Sequence, residues 1–371
     1  MPWREATEQA LYGEGGFYRR TDGPAAHFRT SVHASPLFAE ALLRLVLATG
    51  LRTVVDVGSG RGELLAQLHE WDPGLRLVGV DVVDRPADLP AGVEWSSAVP
   101  EVDGALLLAN EWLDNVPVDV AVRTADGDRL LLVDPATGVE SVGGSLPARD
   151  VAWLDQWWPL RVDGDRAEIG WPRDAAWARA LDRLGSGVAV AVDYAHPAGN
   201  RPSVGTLTGY RDGRQVTPVP DGSCDITAHV ALDACAEAGR RAGATETVLT
   251  TQREALTALG VVAEPPHSEL ASTDAGAYVA AIVRVGQLAE LNLELPDFRY
   301  TARMASGVTE NEVCPVFTAT LDGDPQPDPA EVDSFAWVPW SMLTAAVADD
   351  PERYSPWMQL QLPLLSAKRG G

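Results

Sequence analysis

Thr53-Val54-Val55-Asp56-Val57-Gly58-Ser59-Gly60-Arg61-Gly62-Glu63 is the stretch whose reading decides the fold. Thr53 to Val57 is β-branched and largely apolar, which predicts a short buried strand. Gly58, Gly60 and Gly62 follow at once. Leu64, Leu65 and Leu68 then recur at helical spacing. A strand, a glycine turn and a helix make the first half of a nucleotide-binding βαβ unit. Without Cβ atoms the glycines permit the sharp turn and let a ligand lie close to the backbone.

The spacing is G-x-G-x-G and differs from the dinucleotide form G-x-G-x-x-G. A second strand is predicted from Leu75 to Val80, ending in Asp81. An acidic residue about 20 positions after the loop, at the tip of the second strand, suits a pair of ribose hydroxyls. The ligand implied is an adenosine derivative. With Asp56 just ahead of it, the loop resembles motif I of S-adenosylmethionine (SAM) methyltransferases. That resemblance implies SAM as cofactor, with Asp56 facing its cationic methionine end and Asp81 its ribose. The alternative is a tight glycine turn in an α/β domain that binds nothing.

The chain has 371 residues, enough for two domains, and is 46% hydrophobic and 22% charged, as expected of a soluble globular protein. Its net charge is −24, and 28 of its 29 basic residues are arginine. That acidity argues against nucleic acid and anionic membrane as partners, since both need a basic face, and it permits a basic protein substrate. Cys224, Cys235 and Cys314 share no C-x-x-C spacing and predict neither a disulfide framework nor a zinc site. The N-terminus shows no apolar signal region, and the longest apolar stretch, Ala277 to Val285, is too short to span a bilayer. A cytoplasmic protein is the expectation.

Along the chain, residues 12–34 are glycine-rich, aromatic and polar, and read either as a surface loop or as a segment covering the cofactor. Ser35 as N-cap and Pro36 at N1 predict a helix to about Ala48. Gly104 to Ala109 predicts a buried strand, followed by Asn110 and Glu111. Polar side chains at the carboxyl end of such a strand sit where ligands bind in open α/β sheets. Asn110 and Glu111 are therefore candidates for the reaction cleft, the alternative being that they cap the next helix. A hairpin is predicted over Val118 to Val133 around Asp126-Gly127. Helices are expected over Ala148 to Leu160 and Asp174 to Leu184, with Trp153, Trp157, Trp158, Trp171 and Trp177 read as packing residues. Gly187 to Tyr194 reads as another strand, and Asp212-Gly213 as a second hairpin turn. Asp225 or Thr227 reads as the cap of a helix from about His229 to Ala242. Thr245 to Thr250 reads as a late strand, and Gln252 to Leu259 and Ala275 to Leu288 as helices.

Several segments carry a more specific resemblance. They are Gly16-Phe17-Tyr18, Thr30-Ser31 with Ser35-Pro36, Asp56 to Gly62, Asn110-Glu111 with Asp114 and Val116-Pro117, and Asp193-Tyr194. Gly205-Thr206-Leu207 with Tyr210-Arg211, Asp225 to Val230, and Thr251-Gln252 complete the set. Together they resemble the MidA-like SAM-dependent methyltransferases over residues 11–288. The resemblance implies an α/β fold, a Rossmann-like methyltransferase domain with a helical and hairpin insertion, over residues 1–290. Its cofactor contacts would be Asp56, Gly58, Gly60, Gly62, Asp81 and Asn110. Its catalytic residues would be Glu111 and Asn110, and its substrate a protein arginine. On that analogy Glu111 grips the guanidinium with two hydrogen bonds.

The tail reads differently. Leu295 to Tyr300, Ser306-Gly307, Glu310 to Phe317 and Ser355 to Met358 resemble the carboxyl half of type I isopentenyl-diphosphate isomerase, a Nudix-like fold. Residues 291–371 are thus expected to be an incomplete α+β fragment. In that family the positions of Glu310 and Glu312 serve metal binding and proton transfer, and that of Trp357 lies over the carbocation. The family's Cys-Gly-His-Pro stretch and histidine ligands have no match here. Two carboxylates hold a divalent cation poorly, because hard cations want about six oxygen ligands. No metal and no isomerase activity are therefore expected, and the uncovered strand edges predict docking on the methyltransferase domain, a homodimer, or poor order.

Overall fold

The computed structural model describes residues 1–19, 37–211 and 214–261. Beyond these it describes 292–295, 299–303, 309–313, 316–318, 338–350, 353–354 and 356–369. The chain divides into two compact units, Met1–Val261 and Val262–Gly371. The expected junction near residue 290, the helix over Ala275 to Leu288, the segment 20–34, the Asp212-Gly213 turn and Cys314 lie outside the described residues.

The first unit is built on a parallel sheet. Its strands are β1 (Thr53–Val57), β2 (Arg76–Val80), β3 (Val93–Ser96), β4 (Ala105–Asn110) and β9 (Gly187–Val192), in the order β3-β2-β1-β4-β9. Residues 105–109 of β4 are wholly buried. A strand covered on both faces reads as a continuous apolar run, and Ala105-Leu106-Leu107-Leu108-Ala109 is one. Val54, Leu77, Leu106 and Leu108 face one core with helices α2 (Leu37–Thr49) and α3 (Glu63–Trp71). Val55, Val57, Val78, Val80, Leu107 and Ala109 face the other, with Trp177, Ala180, Val230 and Cys235. Each buried leucine contributes roughly 1.5–3 kcal/mol relative to exposure. The strand order reverses between β1 and β4, and the crevice outside their carboxyl ends is where open α/β sheets bind ligands.

Between β4 and β9 lies an insertion. Strands β5 (Asp119–Thr124) and β6 (Gly127–Val133) form the hairpin expected around Asp126-Gly127. With β7 (Glu140–Ser145) and β8 (Arg166–Ile169) they make a four-stranded antiparallel sheet, in the order β7-β6-β5-β8. Helix α4 (Ala148–Trp157) lies between β7 and β8 in the chain, and α5 (Trp171–Leu181) follows β8. The tryptophans pack: Trp153, Trp158 and Trp177 are buried, and the indole N–H of Trp153 donates to Asp174 and that of Trp171 to Asp150. A three-stranded sheet, β10 (Thr208–Arg211), β11 (Arg214–Val216) and β12 (Asp225–Thr227), follows in the order β11-β10-β12, ahead of helix α6 (Leu232–Arg241). Cys224 and Cys235 are buried free thiols.

Three expectations are corrected. Thr245 to Thr250 forms no strand; Val248 and Leu249 stand 73% and 57% exposed, so their β-propensity meets no sheet to pack on. Asp225 and Thr227 do not cap α6, whose N-cap is Ala231; both sit in β12 and turn their side chains to other partners. The segment from Tyr12 to Arg19 is no surface loop. Helix α1 (Trp3–Tyr12) precedes it, and a single 3-10 turn, Phe17–Arg19, buries Phe17 under the insertion sheet beside Trp3, Leu11, Val120 and Ile226. No helix among the described residues is long and apolar enough to cross a membrane.

The second unit holds two antiparallel ribbons. One pairs β13 (Asn292–Leu295) with β16 (Val316–Thr318), and the other β14 (Arg299–Arg303) with β15 (Thr309–Val313). Glu310 and Glu312 take alternate positions on β15, opposite Ala302 and Tyr300. Helices α8 (Trp340–Asp349) and α9 (Pro356–Arg369), the latter including Trp357, end the chain, α7 being Gln252–Ala258 of the first unit.

Candidate functional site

Gly58, Gly60 and Gly62 all have positive φ, +77°, +58° and +76°, so the turn after β1 is left-handed three times over and needs glycine at each place. Their surroundings differ. A Cβ on Gly58 would lie 2.9 Å from the Trp112 ring, and one on Gly62 would lie 2.7 Å from Leu89. A Cβ on Gly60 would meet nothing within 4 Å. Gly58 and Gly62 are thus packed by the protein, while Gly60 faces open space. A ligand lying against this loop has room above Gly60.

Asp81 borders the same space. It follows β2, and its carboxylate accepts the N–H of Gly60 at 2.8 Å and that of Val83 at 3.2 Å. Burial pushes its carboxyl above the usual range, and the Gly60 N–H opposes that rise. Asp56 lies beneath the loop. It is buried, and its carboxylate accepts from Ser59 Oγ at 2.8 Å. Burial raises its carboxyl to about 7; the Ser59 hydrogen bond acts against the rise, and Asp81 and Glu63 add to it.

The sign for stability follows. The folded carboxyl keeps its proton to higher pH than the unfolded one, so the cost of ionising it in place is absent below about pH 4 and grows up to about pH 7. The full cost is on the order of 4 kcal/mol, an upper figure for a group this buried. Asp56→Asn should therefore be more stable than the parent at pH 8 and close to it at pH 4. Urea unfolding at both values checks this; a variant less stable at pH 8 would show that the carboxylate is compensated in place.

Asn110 and Glu111 end the central strand. Asn110 is buried, the last residue of β4, opposite Val192 of β9. Glu111 has φ +49°, and it is the one non-glycine with positive φ among the described residues. Its N–H donates to Val192 O at 2.8 Å, which fixes the bend. Trp112, the next residue, is the side chain that lies against Gly58. The Glu111 bend and the glycine loop are therefore in contact. A left-handed glutamate costs roughly 1–2 kcal/mol, and strain of this kind collects at functional sites.

Sequence reasoning missed what lies behind the bend. Asp193 accepts the N–H groups of Leu113 at 2.9 Å and Asp114 at 3.4 Å. Asp114 accepts from Thr227 Oγ1 at 2.8 Å. Burial first, and then the Asp114 charge, push Asp193 well above the carboxylate range. Arg173 is buried beside them. Its guanidinium donates to the backbone carbonyls of Asp114 at 2.6 Å, His229 at 2.9 Å and Val116 at 3.2 Å. Tyr18 donates to Asp225 at 2.8 Å and stacks on Tyr12, whose hydroxyl donates to Asn115 O at 3.0 Å. Burial raises Asp225 to about 7. Thr227, Asp225 and Asp114 were visible as motif residues, but a cap and a network look alike in sequence. Arg173 gave no signal, since an arginine inside an amphipathic helix usually faces water.

Against known proteins, residues 66–250 match the profile of the family described as "Putative S-adenosyl-L-methionine-dependent methyltransferase". A solved structure from Burkholderia thailandensis is 28% identical, with a TM-score of 0.64, covering 78% of this chain and 83% of that one. It is described as a "likely methyl transferase" bound to S-adenosyl-homocysteine. A separate stretch resembles isopentenyl-diphosphate Delta-isomerases. The protein from Clavibacter michiganensis is 51% identical over 79 residues, 21% of this chain and 41% of that protein. The one from Leifsonia xyli is 41% identical over 113 residues, 30% of this chain and 57% of that protein. The chain thus spans about two-fifths to three-fifths of the curated isomerases it matches.

Proposed function

We propose that the protein methylates an arginine of a protein substrate, with Glu111 as the residue that holds the acceptor, a reading that starts from the match of residues 66–250 to the family described as "Putative S-adenosyl-L-methionine-dependent methyltransferase". The observation that carries this reading is the strained Glu111 bend, fixed to Val192 and touching the glycine loop through Trp112. SAM suits the residues present: the space above Gly60 is open, and Asp81 borders it. The cofactor supplies a methyl group already activated on a sulfonium. What the chain must add is proximity and matched charge. Glu111 would hold the guanidinium through two charge-assisted hydrogen bonds, and its carboxylate would take the proton that the methylated nitrogen sheds. The net charge of −24 favours a basic protein over a nucleic acid as acceptor.

The test is transfer of radiolabelled methyl from SAM into a lysate lacking this gene, with identification of the labelled residue. Label on arginine supports the reading; label on another residue, or on a small molecule, rejects it. Isomerase chemistry is not proposed, because the chain has only part of that protein's length and lacks a match to its Cys-Gly-His-Pro stretch.

Asp81→Ala should weaken SAM binding about tenfold or more, since a hydrogen bond to a charged group is worth roughly 1.5–3 kcal/mol. Calorimetry is the check. Equal affinity for parent and variant would mean that Asp81 serves only the Gly60 N–H.

A further inference from the structure

Tyr194 follows β9 and stands 59% exposed. A lone exposed tyrosine needs no explanation, but this one is held in place. Its carbonyl accepts the N–H of Val230 at 2.7 Å. Its ring lies nearly parallel to the His229 imidazole, with centroids 6.1 Å apart and planes inclined at 24°. His229 is fixed in turn: its N–H donates to Thr206 Oγ1 at 2.9 Å, and its carbonyl accepts from buried Arg173. The imidazole of His196 lies behind it, with centroids 6.3 Å apart. A supported aromatic pair is thus presented at the carboxyl end of β9.

That end is the one beside Glu111. The Glu111 N–H is bonded to Val192, two residues before Tyr194. Burial raises the Tyr194 hydroxyl, and Glu111, Asp114 and Asp193 are near enough to raise it further. The Tyr210 hydroxyl is also near enough to raise it. The charged group packed behind is Arg173, whose guanidinium is engaged by three carbonyls. An aromatic face carries negative charge and attracts a cation, and a planar guanidinium can stack on it in a way that an ammonium cannot. A neutral acceptor gains nothing from the neighbouring carboxylates.

Resting on the arginine reading above, we propose that Tyr194, backed by His229, is the stacking platform of the acceptor subsite and selects a planar cationic side chain. Glu111 grips the edge of the guanidinium while Tyr194 covers its face. The two act on different parts of one group, so they can be separated by mutation.

The experiment uses the full chain saturated with S-adenosylhomocysteine. It is titrated calorimetrically with N-acetyl-arginine amide and with its neutral counterpart N-acetyl-citrulline amide. The arginine probe should bind at least about tenfold more tightly than the citrulline probe. Tyr194→Ala should weaken the arginine probe by about three- to thirtyfold, with the affinity for S-adenosylhomocysteine unchanged as the control for folding. Tyr194→Phe, which keeps the ring, should bind within about twofold of the parent. Unchanged binding by Tyr194→Ala, or a Tyr194→Phe variant as weak as the alanine, overturns the platform. If Glu111→Gln loses the arginine probe while Tyr194→Ala keeps it, the platform alone is wrong and the arginine reading stands. If the citrulline probe binds as well as the arginine probe, and the lysate label lies elsewhere than on arginine, both fall together.

Discussion

Glu111→Gln should bind SAM as the parent does and transfer methyl groups about a hundredfold more slowly. The substitution keeps the side-chain shape and the backbone bond to Val192. It removes the charge that would pair with a guanidinium, and hydrogen bonds to charged groups are worth roughly 1.5–3 kcal/mol. Each 1.36 kcal/mol off transition-state stabilisation is about tenfold in rate. The φ of +49° is no easier for glutamine than for glutamate, so the bend has the same reason to form or fail in both. Single-turnover transfer and SAM titration on the same preparation separate the two steps. Turnover equal to the parent's would leave Glu111 as a structural residue of the bend and remove the acceptor role argued for it.

The second large effect is expected in the glycine loop, and it comes as a contrast. Gly58→Ala drives a methyl group to 2.9 Å from Trp112 in a backbone with φ +77°. Left-handed strain of roughly 1–2 kcal/mol and overpacking of roughly 1–3 kcal/mol should together lower stability by about 2–5 kcal/mol. SAM binding should fall with it, since the Glu111–Trp112 bend is what must move. Gly60→Ala meets no protein atom within 4 Å, so its stability cost is the backbone strain alone. Its methyl would instead occupy the space left for the ligand. It should therefore fold with a smaller loss than Gly58→Ala and still bind SAM at least about tenfold more weakly, the order expected when a small overlap is forced at a tight contact. Thermal unfolding and calorimetry on the two variants give the comparison. Parental affinity in Gly60→Ala would mean that the ligand does not approach that part of the loop.

The parallel core was legible because its signals are local. β1, the glycine turn and α3 are consecutive, and β4 announces itself by five apolar residues in a row. The β5–β6 hairpin carried its own turn residues. The strands that escaped are short and get their place from distant partners. β8 pairs with β5 across the insertion, and β3 reads as a polar connection until Val93 is seen packed with Leu77 and Leu68. The same distinction holds at the candidate site. Gly58, Gly60, Gly62, Asp81, Asn110 and Glu111 lie at strand ends that the sequence already marks, and the fold gathers them at one edge of the sheet. The network of Asp114, Asp193, Thr227 and Arg173 draws on four separate segments. No spacing rule joins residues that far apart, and a buried arginine bonded to carbonyls looks in sequence like any other surface arginine.

The Asp193 carboxyl that fixes the Leu113 N–H comes from 80 residues further along the chain. Closing a flexible loop of that length costs about 4 kcal/mol of chain entropy, so this contact cannot form early on its own merit. The pairing of β1 with β2 and that of β1 with β4 close shorter loops, Thr53 meeting Arg76 and Ala105. During synthesis the glycine loop and its pairings with β2 and β4 can form while the insertion is still emerging, but the Glu111–Trp112 bend packed on Gly58 has to wait for Val192 and Asp193. The bend from Glu111 to Leu113 must wait until Asp193 has left the ribosome and β9 has docked. A nascent chain should thus hold an unsupported glycine loop before the bend that closes over it is fixed, and the delay between the two is set by the translation of the insertion.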